Sequence, residues 1–319
     1  MARAVVRRTS SFAFLDDRVR PRSVSDASSA AVVMADTVRV DELQDGDHAC
    51  LTFTDHDECS DVVAEFVTAG LLRGQKVVCF ADASTPDDLA LDLALREVDV
   101  HGAIERGQLD LRSGQADWLG GEPHAEQMIA ALASDLADAT ARGFRGLRVS
   151  ADMSWATRPV ASAEQLIAFE RHCAHLFDGA RLTAMCQYDR DRFDPVSLAF
   201  VTEAHGRAVA ALAYHDTPLL RICRQHRPAG IRIAGELDFT HAEPLEQALA
   251  EALRLDSVIH LNLAKLRFID VASATIVAKA ALTLPTDRRM IVTCRPPVAA
   301  VFDAIGAGQA TQLDLRRQA

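Results

Sequence analysis

The chain has 319 residues, 49% of them hydrophobic and 25% charged, with a formal net charge of −11. That length accommodates two domains, each with its own core. The acidic balance, with no basic stripe interleaved with aromatics, argues against direct nucleic-acid binding. Seven scattered cysteines without a CxxC pair read as reduced thiols of a cytoplasmic protein rather than a disulfide framework. No apolar run approaches the roughly 18–20 residues that a membrane span needs.

Residues 1–37 are rich in Arg, Ser and Ala and lack periodicity of either kind, so they are expected to form a disordered tail. Arg7-Arg8 would suit an export signal, but Asp16 and Asp17 interrupt the apolar stretch that should follow. Patterned sequence starts beside Met34, which makes that residue a candidate start codon.

From residue 38 strand-like and helix-like segments alternate. HACLTF, a helix over 58–73 and KVVCFAD form a first β-α-β unit, and a further helix is expected over 86–99. Ile129, Leu132, Leu136 and Ala139 mark the helix 124–142, which feeds the strand GLRVSAD. Ser162 and Gln165 have capping-box spacing for the helix 163–177. RLTAMCQYD, a helix over 195–204 and the strand RAVAALAY complete the unit. Such alternation implies a mostly parallel sheet with helices on both faces.

His215-Asp216-Thr217-Pro218 is the expected linker. A smaller set follows: strands LLRICRQ and GIRIAGELD, a helix, the strand SVIHLNLAKLRFID, a helix, RRMIVTC, a helix and a short strand near LDL. Thr240 and Glu243 have capping-box spacing for the first of these helices, and Leu245, Leu249 and Leu253 supply its apolar stripe. The domains expected are 38–217 and 218–319.

GELDFTHAEPLEQAL, followed by a strand and helix reading LRFIDVASATIVAKAAL, resembles a STAS domain of the anti-sigma-factor antagonist type. The resemblance covers about residues 219–315, and its most specific pieces are Gly235-Glu236-Leu237-Asp238 and the corner Phe268–Asp270. It implies docking of a GHKL kinase-like anti-sigma factor around Asp238, Asp270, Ala272 and Ser273, with partner switching driven by phosphorylation of the second Ser in Asp-Ser-Ser-Gly. Here Val271 and Ala272 stand at the two serines and Ser273 at the glycine. Ala272 has no oxygen to phosphorylate. One helical step turns a side chain by about 100°, so Ser273 is a poorly aimed substitute phosphosite; otherwise it is a first-turn residue answering a free backbone group. Asp270 also suits an N-cap. The corner is therefore expected to dock a partner after losing the phosphoswitch.

Residues 38–217 resemble a MEDS domain, the methanogen/methylotroph sensory domain, which is similar to the RecA/KaiC-like α/β fold. The resemblance is carried by GDHACLTF, GLRVSADMSW, AMCQYDRDRF and Glu203-Ala204-His205. Asp152, Phe53 and Gly206 stand where the family more often has Glu, Tyr and Pro. Independently of the family, His48, Cys50, Asp152, Trp155, Cys186 and Tyr188 lie at or near predicted strand ends, at the edge where open α/β sheets bind ligands. They are expected to converge on one cavity suited to a small, mostly apolar molecule held by a few polar groups.

His48, Cys50, Cys186 and Asp152 lack compact metal-ligand spacing, so neither metal nor cofactor is expected. His172-x-x-His175 lacks a third ligand. Cys50 beside His48 has the makings of a nucleophile–base pair, although alternate strand residues share a face by pleating alone. After the first strand, where a nucleotide-binding fold would carry Gly-x-x-x-x-Gly-Lys-Ser/Thr, the chain reads LTFTDHDECSD. Asp55, Asp57, Glu58 and Asp61 would repel a triphosphate. The reading is a non-enzymatic cytoplasmic regulator of transcription, sensing through the first domain and releasing a sigma factor through the second. An enzyme using thiol or metal chemistry, and a homo-oligomeric scaffold of a stress-sensing complex, stay open as alternatives.

Overall fold

Short apolar runs flanked by turn residues build the strands, and amphipathic stretches between them build the helices. The structure is a computed structural model and describes residues 36–158 and 163–318. Arg7-Arg8, Asp16, Asp17, Met34, Ser162 and the rest of the expected tail up to residue 35 lie outside the described residues.

The first sheet contains β1 (Asp36–Val38), β2 (His48–Phe53), β3 (Lys76–Ala81), β4 (Leu109–Ser113), β5 (Leu147–Asp152), β6 (Leu182–Asp189) and β7 (Arg207–Val209). Their order is β1-β7-β2-β6-β5-β3-β4, parallel at every pairing. Helices α1 (His56–Leu72), α2 (Pro86–Leu95) and α3 (Val100–Glu105) cover one face, burying Phe66, Val67 and Leu93 against Leu51, Val77 and Met185. Helices α4 (Ala125–Ala141), α5 (Ala163–His172) and α6 (Pro195–Ala204) cover the other, where Met128, Phe169 and Val201 meet Cys50, Val149 and Tyr188.

The helix expected over 86–99 ends at Leu95, because Glu97 adopts a left-handed φ of 63° that no α-helix continues, and α3 starts afresh at Val100. The helix expected to reach 177 narrows to a 3-10 turn from Cys173. β1 takes Asp36 and Thr37 out of the expected tail.

RAVAALAY is not one strand. Residues 207–209 close the first sheet, whereas β8 (Ala213–Asp216) pairs antiparallel with β9 (Leu220–Gln225) in the second. The crossing between sheets therefore lies at 210–212, upstream of the expected linker. Thr217 and Pro218 instead belong to a hairpin turn, closed by Thr217 donating its N–H to the Leu220 carbonyl at 2.9 Å.

The second sheet continues with β10 (Gly230–Leu237), β11 (Val258–Leu263), β12 (Leu266–Ile269), β13 (Arg289–Cys294) and β14 (Leu313–Arg317), in the order β14-β13-β11-β10-β9-β8 with β12 also on β10. The expected long strand 257–270 is thus β11 and β12, both parallel to β10. β10 passes from one to the other through a bulge at Gly235, whose φ is 109°. A Cβ there would lie 2.0 Å from the Leu219 carbonyl oxygen, so only glycine fits.

Helices α7 (Ala242–Leu255), α8 (Val271–Leu282) and α9 (Pro296–Ala304) bury Leu245, Leu249, Val277 and Phe302 against Ile222, Ile231 and Leu261. Thr240 does not cap α7. Asp238 caps a 3-10 turn at Phe239–His241 instead, accepting the Thr240 N–H at 3.0 Å. Among the described residues no helix is long and apolar enough to cross a membrane.

Candidate functional site

Four places among the described residues concentrate chemistry. The first lies inside the first domain, under α5 and α6. Pleating aims alternate residues to one face, and the register pairs His48 with Ala184, Cys50 with Cys186 and Thr52 with Tyr188. His48 and Cys186 therefore face the helices, with His48 Nε2 3.6 Å from Cys186 Sγ. From α5, Glu170 brings Oε2 to 3.6 Å from His48 Nε2. His205, which ends α6, brings Nε2 to 3.4 Å from the same oxygen.

The quartet His48, Glu170, Cys186 and His205 holds its four ligand-type atoms within 4.8 Å of one another. Tyr188 donates its hydroxyl to Glu170 Oε1, and His205 Nδ1 meets the Val201 carbonyl at 2.6 Å. Glu170 Oε2 and His205 Nε2 are buried without a hydrogen-bond partner.

Burial favours the neutral forms here. It pushes His48 well below the ordinary histidine range, with His205 adding to the effect. Burial likewise raises Glu170, against His205 and the Tyr188 hydroxyl, and raises Cys186, helped by Glu170. Cys50 is pushed up to about 11 by burial first and the Glu170 carboxyl second, opposite to an activated thiol.

The second place is a cavity of about 330 Å³ at the carboxyl edge of the sheet, lined among others by Phe53, His56, Asp88, Asp152, Asp189 and Arg192. Of the six residues expected to share one cavity there, only Asp152 lines it. Its Oδ1 accepts the Ser154 N–H at 2.9 Å and its Oδ2 the Ala83 N–H at 2.7 Å, so it also pins two loops. His48, Cys186 and Tyr188 sit deeper, on the face of the sheet. Cys50 is buried on that face, and Trp155 is buried edge-on to Trp118. The lining is also more acidic than the mostly apolar cavity expected, with Asp88, Asp92, Asp152 and Asp189 together. His172 and His175 are exposed, with the His172 carbonyl 2.7 Å from His175 Nδ1.

The third place is where α1 begins. Asp55 caps it, accepting the Asp57 N–H at 3.0 Å. The open face of β9 and β10 covers this acidic start. Arg221 binds Glu58 bidentately at 2.6 and 2.8 Å, and Arg232 contacts Asp55 at 2.5 Å and also pairs with Asp57. Asn262 reaches Asp57 at 3.2 Å. Asp61 accepts the His226 N–H at 2.8 Å and the Arg227 N–H at 2.5 Å, and Glu65 accepts from Arg227 Nε at 3.0 Å. The carboxylates standing where a phosphate loop would be are thus occupied by the second domain. Burial raises Asp61 to about 7, against those two amide donors and Arg96.

In the second domain, Asp270 caps α8. Its Oδ1 accepts the Ser273 N–H at 2.7 Å and its Oδ2 the Phe239 N–H at 2.8 Å. Although burial works the other way, the amide donors of Ser273 and Phe239 bring its carboxyl below the usual range. Ala272, Val271, Phe239 and Phe268 are exposed, and Asp238 is partly so. Ser273 is wholly buried, which corrects its placement both in the docking surface and as a phosphosite. Its hydroxyl is buried in the first turn of α8, away from the exposed side chains of Val271 and Ala272.

Glu170 escaped the sequence reading, and His205 was noted only as a closing histidine. A signal existed for Glu170: Leu166, Phe169, Glu170 and Cys173 repeat at helical spacing, and all four are buried, so the carboxylate stands on the apolar stripe.

The fold is thus a parallel α/β domain with a buried His/Glu/Cys/His cluster, joined to a mixed-sheet domain through an acidic helix start. The chain belongs to the MEDS family, described as "MEthanogen/methylotroph, DcmR Sensory domain", over residues 47–206. Residues 221–315 match a family described as "Mlab, STAS domain". This pairing gives the protein a signalling, regulatory role.

Among curated proteins, the chain is similar to the transcriptional repressor DcmR of Methylorubrum extorquens (strain DSM 6343 / CIP 106787 / DM4), 27% identical over 195 residues, 58% of this chain and 66% of the repressor. The chain thus spans just under two thirds of that relative's length. Among solved structures it is similar to a KaiC-like protein of Pyrococcus horikoshii OT3 (11% identity, 57% of this chain and 80% of that one, TM-score 0.43). A second is an uncharacterized Pyrococcus horikoshii protein in complex with an unknown peptide (14% identity, 60% and 94%, TM-score 0.46). Both scores lie below 0.5, and the fold assignment rests on the sheet topology.

Proposed function

We propose that this protein regulates transcription by partner switching: the MEDS domain senses a small molecule, and the STAS domain docks a GHKL kinase-like anti-sigma factor and so frees a sigma factor. The observation that carries this reading is the α8 corner, where Val271, Phe239 and Phe268 are 60%, 68% and 51% exposed beside Asp270. Exposed apolar side chains around a fixed carboxylate are the composition of a protein-docking patch. With Ser273 buried, the patch works by shape and charge and not by a phosphate. Similarity to a transcriptional repressor supports the transcriptional setting, and the arginine contacts at α1 give the two domains a shared element through which a ligand can bias the output.

Of the alternatives, thiol chemistry is disfavoured by the raised Cys50 thiol. Self-association of the same apolar patch is the scaffold reading, which light scattering separates. The test is calorimetric titration of the full chain with the host's GHKL-type anti-sigma factors. Val271→Glu should abolish binding with the fold intact, whereas binding unchanged in both Val271→Glu and Phe268→Asp would defeat the reading.

A further inference from the structure

We infer that His48, Glu170, Cys186 and His205 form a closed, tetrahedral site for one divalent zinc-class ion in the core of the sensory domain. Bond lengths of about 2.0–2.3 Å to N, O and S ligands require donors about 3.3–3.8 Å apart along the edges of a tetrahedron. Three edges given by the structure have that length: His48 Nε2 to Cys186 Sγ and to Glu170 Oε2, both 3.6 Å, and His205 Nε2 to Glu170 Oε2, 3.4 Å. The remaining edges stay within 4.8 Å.

Two atoms of the set, Glu170 Oε2 and His205 Nε2, belong to side chains with no exposed surface and have no hydrogen-bond partner. A buried carboxylate oxygen and a buried imidazole nitrogen aimed at one point call for a shared cation.

The surroundings are those of bound ligands. The Val201 carbonyl at His205 Nδ1 fixes the tautomer that leaves Nε2 with its lone pair, and the Tyr188 hydroxyl orients the Glu170 carboxylate through its other oxygen, as supporting partners of metal ligands do. His48 is held flat against Phe177, with ring centroids 4.5 Å apart.

Charge closes the argument. Two neutral imidazoles, one carboxylate and one thiolate cancel the +2 of the ion, so the assembled site is neutral in an apolar core, where net charge is strongly disfavoured. Binding displaces one proton from the Cys186 thiol, and another from Glu170 if it is protonated, to solvent. The soft sulfur with two imidazoles selects zinc over magnesium or calcium. Four protein donors leave no open position, so the ion ties α5 and α6 to β2 and β6 and makes the packing of the sensory domain depend on metal. This holds whether or not the STAS domain docks an anti-sigma factor.

The test uses the full chain, stripped with a chelator and titrated with Co²⁺ alone. One equivalent should bind with tetrahedral d–d bands and a thiolate-to-cobalt charge-transfer band, and Zn²⁺ should displace it. Cys186→Ser should abolish the charge-transfer band, and His205→Gln should weaken binding at least about tenfold, while Cys50→Ser should leave both unchanged. X-ray absorption of the zinc-loaded wild-type protein needs no variant and should give one sulfur and three nitrogen or oxygen ligands. No stoichiometric metal in the wild type, a shell without sulfur or with several sulfurs, or a band that survives Cys186→Ser would overturn the site.

Discussion

Two helices of this protein begin in the same way and end up in opposite circumstances. α1 follows β2 with Asp55 as its cap, and α8 follows β12 with Asp270 as its cap. The carboxylates of the first are engaged by Arg221, Arg227 and Arg232 of the other domain. The cap of the second accepts two backbone N–H groups and stands beside exposed Phe239, Phe268 and Val271. A capped helix start after a strand is a ready site for an anion. In one domain the chain has filled that place with its own acids and then neutralised them, and in the other it has dressed the place with apolar surface. The closed start is an internal joint; the open start is the surface proposed above to dock another protein.

The comparison can be broken most forcefully at the joint. Arg232 is 3% exposed and its removal takes away the arginine partner of Asp55, while Asp57 keeps Arg96, so Arg232→Ala should lower stability by about 3 kcal/mol in denaturant unfolding, the lower end of the range for a broken buried pair because both acids keep some solvent. Loss of no more than a few tenths would mean that the joint is ornamental. The two caps should then differ in degree. Asp270→Ala should lose about 1 kcal/mol of capping, and Asp55→Ala should lose more, since it gives up both a cap and the Arg232 contact. Equal losses would erase the distinction.

The acids of the two regions should also respond to pH with opposite signs. The folded pKa of Asp61 lies near 7 against an ordinary 3.8. The folded state holds the proton more tightly, so this contribution is fully present below the ordinary value and is lost as pH rises towards about 7. Asp61→Asn should flatten that fall in thermal midpoint, with Glu65, Arg96 and Arg227 unchanged beside it. Asp270 is depressed, so its contribution is present above the ordinary carboxylate value and is lost as pH falls through the lowered one. Asp270→Asn should flatten the acid limb only. The smallest effect is expected at the exposed patch, where Val271→Glu should change stability by no more than about 0.5 kcal/mol and still remove partner binding.

Much of the architecture was legible in sequence. β2, β3, β5 and β6 are apolar runs that can only be buried, and Asp270 was readable as a cap. β1 and β4 were missed because short edge strands such as LDLRS alternate polar and apolar residues without a full apolar run. The break after α2 was hidden because the apolar pattern runs on through Glu97, whose backbone and not its side chain ends the helix.

The site errors share one cause. Glu170 and Ser273 are polar residues on the buried stripe of a helix, the first with Leu166, Phe169 and Cys173, the second with Ala274, Val277 and Ala281. Residue type suggested solvent, and position decided burial. Likewise strand ends in sequence read as a single edge, whereas pleating sends His48, Cys186 and Tyr188 into the face and leaves Asp152 at the rim.

The central claim, the proposed docking corner that works without phosphate, is tested most directly by intact mass. The full chain would be incubated with the host's GHKL-type anti-sigma factors, the proposed partners, and ATP, and the mass and the retained complex measured together. The account predicts an unmodified chain that stays bound. Stoichiometric phosphate on Ser273 with release of the partner would contradict it.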